Sequence, residues 1–356
     1  VNRSDTLTQG TDFGGGGISG AGAVETLGSG TLVLNAANTY TGTTDVNGGV
    51  LELAGSLSSG GLVTIDGATM SITGSGINRI GGGSGRAFTL QNGGALSDDG
   101  DAGTLQSINT VTFTDGGTLT GANASPNGTY GNFHFANGIN VTGSGLATIS
   151  APKVSFAWSK TVTVADSVAG AGTDLLISSV ILDDTRLGTL TKAGDGTLEL
   201  TGTSTDPSTW SLSAGTLLVN GSYAGPATVN SSATLGGTGS IGGLATANSG
   251  GHLAPGTNGA GTLTLSGGLT LNNGAILDIE VDTVGANDDL IDVTGGTLTG
   301  AASDDGVTVN VTLSGTPSGS VTITLIDWSA PASASGVELA DFNLVANQVG
   351  GYRGTL

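Results

Sequence analysis

Short strand-like segments separated by glycine constrain the fold of this chain more than any other feature. Thr31-Leu32-Val33-Leu34, Val50-Leu51-Glu52-Leu53 and Thr262-Leu263-Thr264-Leu265 each alternate apolar and polar residues, which is the period of a half-buried strand. Gly-Gly, Asn-Gly and Asp-Gly pairs lie between such segments and supply the positive φ of tight corners. Candidate helical runs are too short and too rich in Gly and β-branched residues. The pattern therefore predicts an all-β chain.

These segments also recur at a fixed distance along the sequence. Gly30-Thr31-Leu32-Val33-Leu34 returns as Gly196-Thr197-Leu198-Glu199-Leu200, and Gly49-Val50-Leu51 returns as Gly215-Thr216-Leu217 with the same offset along the chain. Fixed self-similarity indicates a repeat architecture. Aromatic residues make up only 4 % of the 356 residues, which disfavours the bulky core of a sandwich and the aromatic signature of a propeller. Thin inner rows of Val, Leu, Ile and Ala suffice for a solenoid, so we predict a parallel β-solenoid.

Charge and cysteine usage exclude several classes of partner. The 28 acidic residues against 8 basic ones give a net charge of −20. Such a chain repels phosphate backbones and lacks a basic patch for anionic lipid, so we expect no nucleic-acid partner. The chain has no Cys, which excludes disulfides and thiolate zinc sites and fits an extracellular protein. No stretch reaches the roughly 18 apolar residues of a membrane span, and the start at Val1 suggests a mature or excised fragment.

Three stretches resemble a known family of exported bacterial proteins. The run from Gly30 through Asn38-Thr39-Tyr40-Thr41-Gly42 to Gly49-Val50-Leu51 resembles the autotransporter-associated β-strand repeat. Gly251-His252-Leu253-Ala254-Pro255-Gly256 and Asp288-Asp289-Leu290-Ile291-Asp292 are similar to later turns of the same passengers. The resemblance covers residues 28–75 and 188–356. It implies a right-handed parallel β-helix, an elongated rod that is secreted and displayed on the bacterial cell surface.

The pattern changes along the chain and predicts four parts. Residues 1–27 form a Gly-rich N-terminal arm or cap, and residues 28–125 form a first solenoid block. Residues 126–190 hold five of the 14 aromatic residues and are predicted to be a junction or an excursion from the solenoid. Residues 191–356 form a second solenoid block with C-terminal capping strands.

Acidic corners are the candidate metal sites. Asp98, Asp99 and Asp101 could together supply the carboxylate oxygens that Ca²⁺ prefers. Asp in a turn more often caps its own backbone. The spacing matches neither an EF-hand nor a Gly-Gly-x-Gly-x-Asp repeat. We therefore expect no cofactor, with Ca²⁺ at these three residues as the alternative.

No reaction centre is predicted. His134 and His252 are the only histidines, and no Gly-x-Ser-x-Gly elbow is present. A polysaccharide-active enzyme needs clustered carboxylates and basic residues on one face, and eight basic residues are few for that purpose. The Thr-x-Thr words, such as Thr262-Leu263-Thr264, do not recur at one phase per turn, so an ice-binding row of Thr is not expected. We expect a protein that is not an enzyme.

A structural role is the first expectation. The ends of a solenoid expose unpaired backbone groups, which pair with another chain unless they are capped. We therefore expect an extracellular subunit that self-assembles, end to end or by strand exchange, into a surface filament or layer, as a homo-oligomer or polymer. The candidate assembly residues are Val1, Leu7, Phe13 and Ile18 in the arm and Tyr352 and Leu356 in the last strand.

Adhesion is the alternative expectation. A monomeric passenger would bind a glycan or a host cell-surface protein. Because sugars stack on aromatic rings, the residues expected to bind them are Trp158 and Tyr130 of the middle segment.

Overall fold

The protein is all-β and divides into two compact units. The computed structural model describes residues 1–58, 60–81, 83, 85–122, 127–166, 172–282, 288–304, 306–314, 324–328, 333–335 and 341–346. One unit spans Val1–Gly188 and the other Thr189–Leu356. Within the described ranges the regular elements are strands, and no helix could cross a membrane. The predicted parallel β-helix is confirmed.

The first unit contains strands β1 to β20 within its described ranges. They are β1 (Thr6–Thr8), β2 (Val24–Thr26), β3 (Thr31–Leu34), β4 (Ala37–Asn38), β5 (Thr44–Val46), β6 (Val50–Leu53), β7 (Ser56–Leu57), β8 (Val63–Asp66), β9 (Thr69–Ile72), β10 (Arg86–Gln91), β11 (Ala95–Asp98), β12 (Gln106–Thr114), β13 (Gly117–Thr120), β14 (Phe133–Phe135), β15 (Ile139–Thr142), β16 (Ala147–Ile149), β17 (Lys153–Phe156), β18 (Lys160–Val164), β19 (Leu175–Ile177) and β20 (Val180–Leu182).

The described part of the second unit contains strands β21 to β40. They are β21 (Thr189–Ala193), β22 (Thr197–Leu200), β23 (Thr203–Ser204), β24 (Thr209–Leu212), β25 (Gly215–Val219), β26 (Ser222–Tyr223), β27 (Ala227–Val229), β28 (Ala233–Gly237), β29 (Ser240–Ile241), β30 (Ala245–Ala247), β31 (His252–Pro255), β32 (Thr262–Leu265), β33 (Leu269–Leu271), β34 (Ala275–Asp282), β35 (Leu290–Asp292), β36 (Thr297–Thr299), β37 (Val307–Ser314), β38 (Ile326–Asp327), β39 (Ser333–Ser335) and β40 (Phe342–Ala346).

Two long parallel sheets run through the first unit. One has the order β1-β3-β6-β9-β11-β13-β16-β19, and the other joins β2, β5, β8, β10 and β12. The second sheet divides at β12, because residues 106–108 pair with β14 whereas residues 111–114 pair with β15. Strands β17 and β20 continue the first branch and β18 continues the second. Each turn of the chain thus adds one layer to the sheets, which is the geometry of a solenoid.

Aliphatic columns fill the inside of each unit. Alternate residues of a strand point inwards, so register partners from successive turns stack on one another. Each buried aliphatic side chain contributes about 1.5–3 kcal/mol. In the first unit one column is Leu32, Leu51, Met70, Leu96, Leu119, Ile149 and Ile177. In the second unit the matching column is Leu198, Leu217, Leu235, Leu253, Leu277 and Val309.

The described part of the second unit has three parallel sheets. Their orders are β22-β25-β28-β31-β34-β37-β40, β21-β24-β27-β30-β33-β36-β39 and β23-β26-β29-β32-β35-β38. The third sheet is made of short strands, several of which are dipeptides. Three faces per turn enclose the aliphatic columns together with the buried rings of Trp210 and Tyr223.

The sequence segments that recur at a fixed offset form the same structure in both units. Gly49 has φ of 64° and its counterpart Gly215 has φ of 65°, so both use the left-handed region at the same corner. A polar side chain closes that corner from the preceding turn in both units. Thr26 Oγ1 donates to the Gly48 carbonyl at 3.0 Å. At the matching position Lys192 Nζ donates to the Ala214 carbonyl at 3.1 Å.

Turn length varies widely, although the columns stay in register. The turn that leads from Thr31 to its register partner Val50 is short. The turns from Thr118 to Thr148 and from Thr148 to Leu176 are about half as long again. The additional residues lie outside these columns, where they form loops and the strands β14 and β17, whose phenylalanine rings point inwards. These two long turns of the first unit carry the middle aromatic residues.

The second unit has an outward column with one hydroxyl residue per strand, although the Thr-x-Thr segment Thr262–Thr264 pairs with Leu290 and Asp292 and does not recur. In the sheet that begins with β21, one column of register partners faces outwards and has a hydroxyl residue in six successive strands. These residues are Thr191, Ser211, Thr228, Thr246, Thr270 and Thr299. The neighbouring outward column is a ladder of Asn230, Asn248 and Asn272, whose amides bond one another at 3.0 and 2.8 Å. Both columns follow from β propensity and amide pairing on a solvated face.

Replacing Gly49 by Ala will destabilise the first unit. The left-handed φ costs Ala about 1–2 kcal/mol, and a Cβ would also meet the Gly30 carbonyl. The matched control is Gly22→Ala, where a Cβ meets open space and the effect should stay within about 0.5 kcal/mol. Urea unfolding of both variants measures the difference. Equal midpoints for the two variants would contradict the assigned corner.

Candidate functional site

A short outward-facing ladder forms the base of the candidate site. Strands β14 and β17 pair so that His134 lies beside Ser155. Their neighbours Phe133, Phe135 and Phe156 point inwards and are buried. The alternation of Phe-His-Phe thus places the one polar ring on the outside of the sheet. His134 is nevertheless only 6 % exposed, because loops from two turns cover it.

The loop before β14 brings Tyr130 over this ladder. The Asn127 side chain accepts hydrogen bonds from the backbone N–H groups of Thr129 and Tyr130 at 3.0 and 3.1 Å, which is an Asx turn. The Tyr130 ring then meets the His134 ring edge to face, with centroids 5.2 Å apart. Ser155 Oγ donates to the Tyr130 carbonyl at 2.8 Å and ties the loop to β17.

Trp158 lies on the outside of the same region and is 58 % exposed. Its backbone is held in the left-handed region, with φ of 50°. The backbone N–H of Trp158 donates to the Arg186 carbonyl at 3.1 Å. The guanidinium carbon of Arg186 lies 5.0 Å from the centroids of both the Trp158 and Tyr130 rings. Lys160 Nζ lies 5.8 Å from the Trp158 centroid. An exposed indole is therefore fixed in place by a cation–π stack.

A buried carboxylate orients Arg186. Asp184 Oδ2 accepts from Arg186 Nη2 at 2.9 Å and from Arg186 Nε at 3.2 Å. Asp184 Oδ1 accepts from the backbone N–H of Arg186 at 2.9 Å. The Asp184 side chain is 3 % exposed, whereas that of Arg186 is 28 % exposed. Charge-assisted contacts of this kind hold a guanidinium plane firmly. We call the residues of this site the Trp158 cluster: Tyr130, His134, Ser155, Trp158, Lys160, Asp184 and Arg186.

The hydrogen bonds fix the tautomer of His134. Ser155 has a single hydroxyl proton, which it donates to the Tyr130 carbonyl. His134 Nδ1 lies 2.9 Å from Ser155 Oγ and must therefore be the donor in that contact. His134 Nε2 lies 3.1 Å from Arg186 Nη2, which can only donate. His134 is thus a neutral ring with its proton on Nδ1 and its Nε2 lone pair turned towards the guanidinium.

This arrangement is not a Ser-His-Asp relay. In a relay the base accepts the serine proton on one nitrogen while the carboxylate orients the other nitrogen. Here Ser155 and Asp184 both approach Nδ1 of His134, at 2.9 and 3.8 Å. The remaining nitrogen faces Arg186, and the serine proton points to a carbonyl. Ser155 therefore has no base within the cluster.

Burial and two cations keep His134 neutral. Burial lowers the pKa of His134 to about 4, and the nearby charges of Arg186 and Lys160 act on it in the same direction. Burial also lowers the pKa of Lys160, together with repulsion from Arg186. Near neutral pH the imidazole of His134 is therefore neutral.

Comparison with known families concerns the scaffold around this site. Residues 25–53 and 190–236 match the family model of the passenger-associated-transport-repeat. Two stretches of this chain are therefore similar to an autotransporter passenger repeat. The predicted resemblance to autotransporter passengers is confirmed. No curated protein matches the chain significantly.

The two matched stretches flank the Trp158 cluster in sequence. The first covers β2 to β6, and the second runs from β21 into β28. Both contain the glycine corner with left-handed φ, at Gly49 and Gly215. Positions 130–186, which form the cluster, lie between them. Five of its seven residues lie on the longest turns of the first unit, and the whole cluster lies outside the stretches that match the repeat.

The structure brings the two predicted binding residues into one cluster. Trp158 and Tyr130 both stack on Arg186. Sequence analysis missed Arg186, Lys160 and Asp184 as partners of these rings. A usable signal was the scarcity of basic residues, since three of only eight fall at Lys153, Lys160 and Arg186.

The predicted calcium ligands point in different directions. Asp98 is buried and accepts hydrogen bonds from Thr104 Oγ1 at 3.0 Å and Asn132 Nδ2 at 3.3 Å, and burial raises its pKa. Asp99, the next residue, is exposed and accepts from Ser71 Oγ at 2.8 Å. Asp101 is exposed. Across the described ranges, no three acidic or histidine side chains converge on a metal position. Calcium binding here stays a prediction.

The predicted assembly residues of the arm contact the same chain. Leu27 N–H donates to the Val1 carbonyl at 2.7 Å, and Leu7 is the register partner of Leu32. Phe13 forms a bridge with Gln9. The Ile18 carbonyl accepts from the N–H groups of Thr39 and Tyr40 at 2.7 and 3.1 Å. Residues 1–27 thus lie on the turn that follows them. Tyr352 and Leu356 lie outside the described residues.

Acid will weaken the first unit through His134. The folded ring stays neutral down to about pH 4, whereas the unfolded chain takes up a proton near pH 6.5. As the pH falls, the unfolded state is therefore protonated first, and the unfolding free energy decreases by about 2 kcal/mol between pH 7 and pH 5 from this residue. Urea unfolding at both pH values, compared with His134→Gln, isolates the contribution. An unchanged pH slope in the variant would refute it.

Proposed function

We propose that this chain is an adhesin-type passenger that binds carbohydrate at the Trp158 cluster, outside a bacterial cell. The two stretches that match the passenger-associated-transport-repeat support a secreted, surface-displayed scaffold. The observation that carries the binding function is the indole of Trp158, which is 58 % exposed yet tied by its backbone and stacked on Arg186. A large aromatic ring held open to solvent in this way favours recognition of a ligand.

The cluster is organised before any ligand arrives. The Asp184 carboxylate holds Arg186, and Arg186 holds both rings. A ligand that stacks on Trp158 therefore loses little affinity to side-chain ordering. Aromatic surface with a few fixed polar groups around it is the usual composition of a small-molecule site. Because Ser155 has no base, we propose binding without turnover.

Carbohydrate binding should depend on Trp158. We expect Trp158→Ala to lower binding on a glycan array at least tenfold, since the ring supplies the stacking surface. The matched control is Trp328→Ala, which removes another exposed indole, 43 % exposed, from the second unit. Circular dichroism of both variants checks the fold. Equal binding by the two variants, or no bound glycan for the wild type, would overturn the proposal.

Self-assembly into a filament or layer stays a prediction. The N-terminal residues contact the next turn of their own chain, so their order requires no second copy. Negative-stain electron microscopy of the purified chain tests assembly directly. Filaments that disappear on deletion of residues 1–27 would support assembly through this segment, and single particles at all concentrations would refute it.

A further inference from the structure

The geometry points to a negatively charged saccharide, one that carries a carboxylate, as the ligand of the Trp158 cluster. This inference rests on the proposed function and specifies its ligand. It follows from which hydrogen-bond donors of the cluster are already used within the protein and which stay open beside the indole.

Arg186 retains open donors at one end of its guanidinium. Its Nε and Nη2 groups are occupied by the Asp184 carboxylate and by His134 Nε2. Among the described residues, Nη1 donates to no protein group. The side chain is 28 % exposed, and we infer that this nitrogen is the one that a ligand reaches. Arginine nitrogens pair well with planar carboxylates.

Lys160 supplies a second cation beside the same ring. Its Nζ lies 5.8 Å from the Trp158 centroid and donates to the neighbouring Ser159 carbonyl at 3.2 Å. An ammonium group has three donors, and within the described part of the chain no carboxylate forms an ion pair with this one. The buried Asp184 carboxylate is committed to Arg186. The cluster therefore has one positive charge more than its own carboxylate neutralises.

These features favour an acidic sugar over a neutral one. The apolar face of a sugar ring can stack on Trp158, while its carboxylate reaches the open donors of Lys160 and Arg186. The site is a cationic point on a chain with net charge −20. At physiological ionic strength remote carboxylates are screened beyond about 8 Å, whereas direct contacts are not. A contact at the cluster can therefore outweigh the overall field.

Matched pairs of probes that differ in the carboxylate charge test this inference. Trigalacturonate and sialyllactose are each compared with their own methyl ester by titration calorimetry at about 0.15 M salt. We expect an acidic probe to bind at least tenfold more tightly than its ester. Lys160→Met keeps the aliphatic stem and removes the charge, and should weaken acid binding about tenfold without changing ester binding.

The control variant is Arg3→Met, which makes the same change in net charge at the exposed Arg3–Asp5 pair. Equal loss of acid binding in this variant would overturn the inference, because overall charge would then explain it. Equal Trp158-dependent binding of acids and esters would also overturn it, while leaving the proposed function intact. Failure of the wild type to bind any of the four probes or any glycan on the array would reject both.

Discussion

Parallel hydrogen bonding between successive turns is the constraint on which this structure depends. Each turn presents its backbone donors and acceptors to the next, so the main chain rather than a bulky core sets the spacing. Two inward residues per strand are then sufficient in such a sheet, as Leu51 and Leu53 of β6 and Met70 and Ile72 of β9 show. This explains how a chain with 4 % aromatic residues buries an apolar interior.

The local elements could be predicted because they depend on local patterns. The segment Thr197-Leu198-Glu199-Leu200 is a strand with Leu198 inside. The segments that recur at a fixed offset contain the same left-handed corner, at Gly49 and Gly215. The register between turns could not be predicted in the same way. A short step along the chain joins Thr216 to Thr234, whereas a much longer one joins Ile276 to Thr308. This variation hid the row of hydroxyl residues in the second unit.

Two of the seven residues of the candidate site followed from residue type, and the other five required three dimensions. Aromatic residues in the middle segment predicted Trp158 and Tyr130. The residues that hold them come from separate turns: His134 from one, Ser155 from the next, and Arg186 from a third. Which turns meet depends on loop lengths and on the division of the sheet at β12, and neither has a sequence signature. The neutral state of His134 likewise follows only from its surroundings in the folded chain.

The tolerance of the columns for turns of different length has an evolutionary consequence. Residues inserted between two register partners leave the inner stack unchanged, because each layer bonds only to its immediate neighbours. Lengthening a long loop costs little additional entropy. A lineage can therefore acquire or exchange a recognition surface by insertion in adjacent turns, without redesigning its framework. The Trp158 cluster, five of whose seven residues lie on the two longest adjacent turns of the first unit, is an outcome that such insertions would produce.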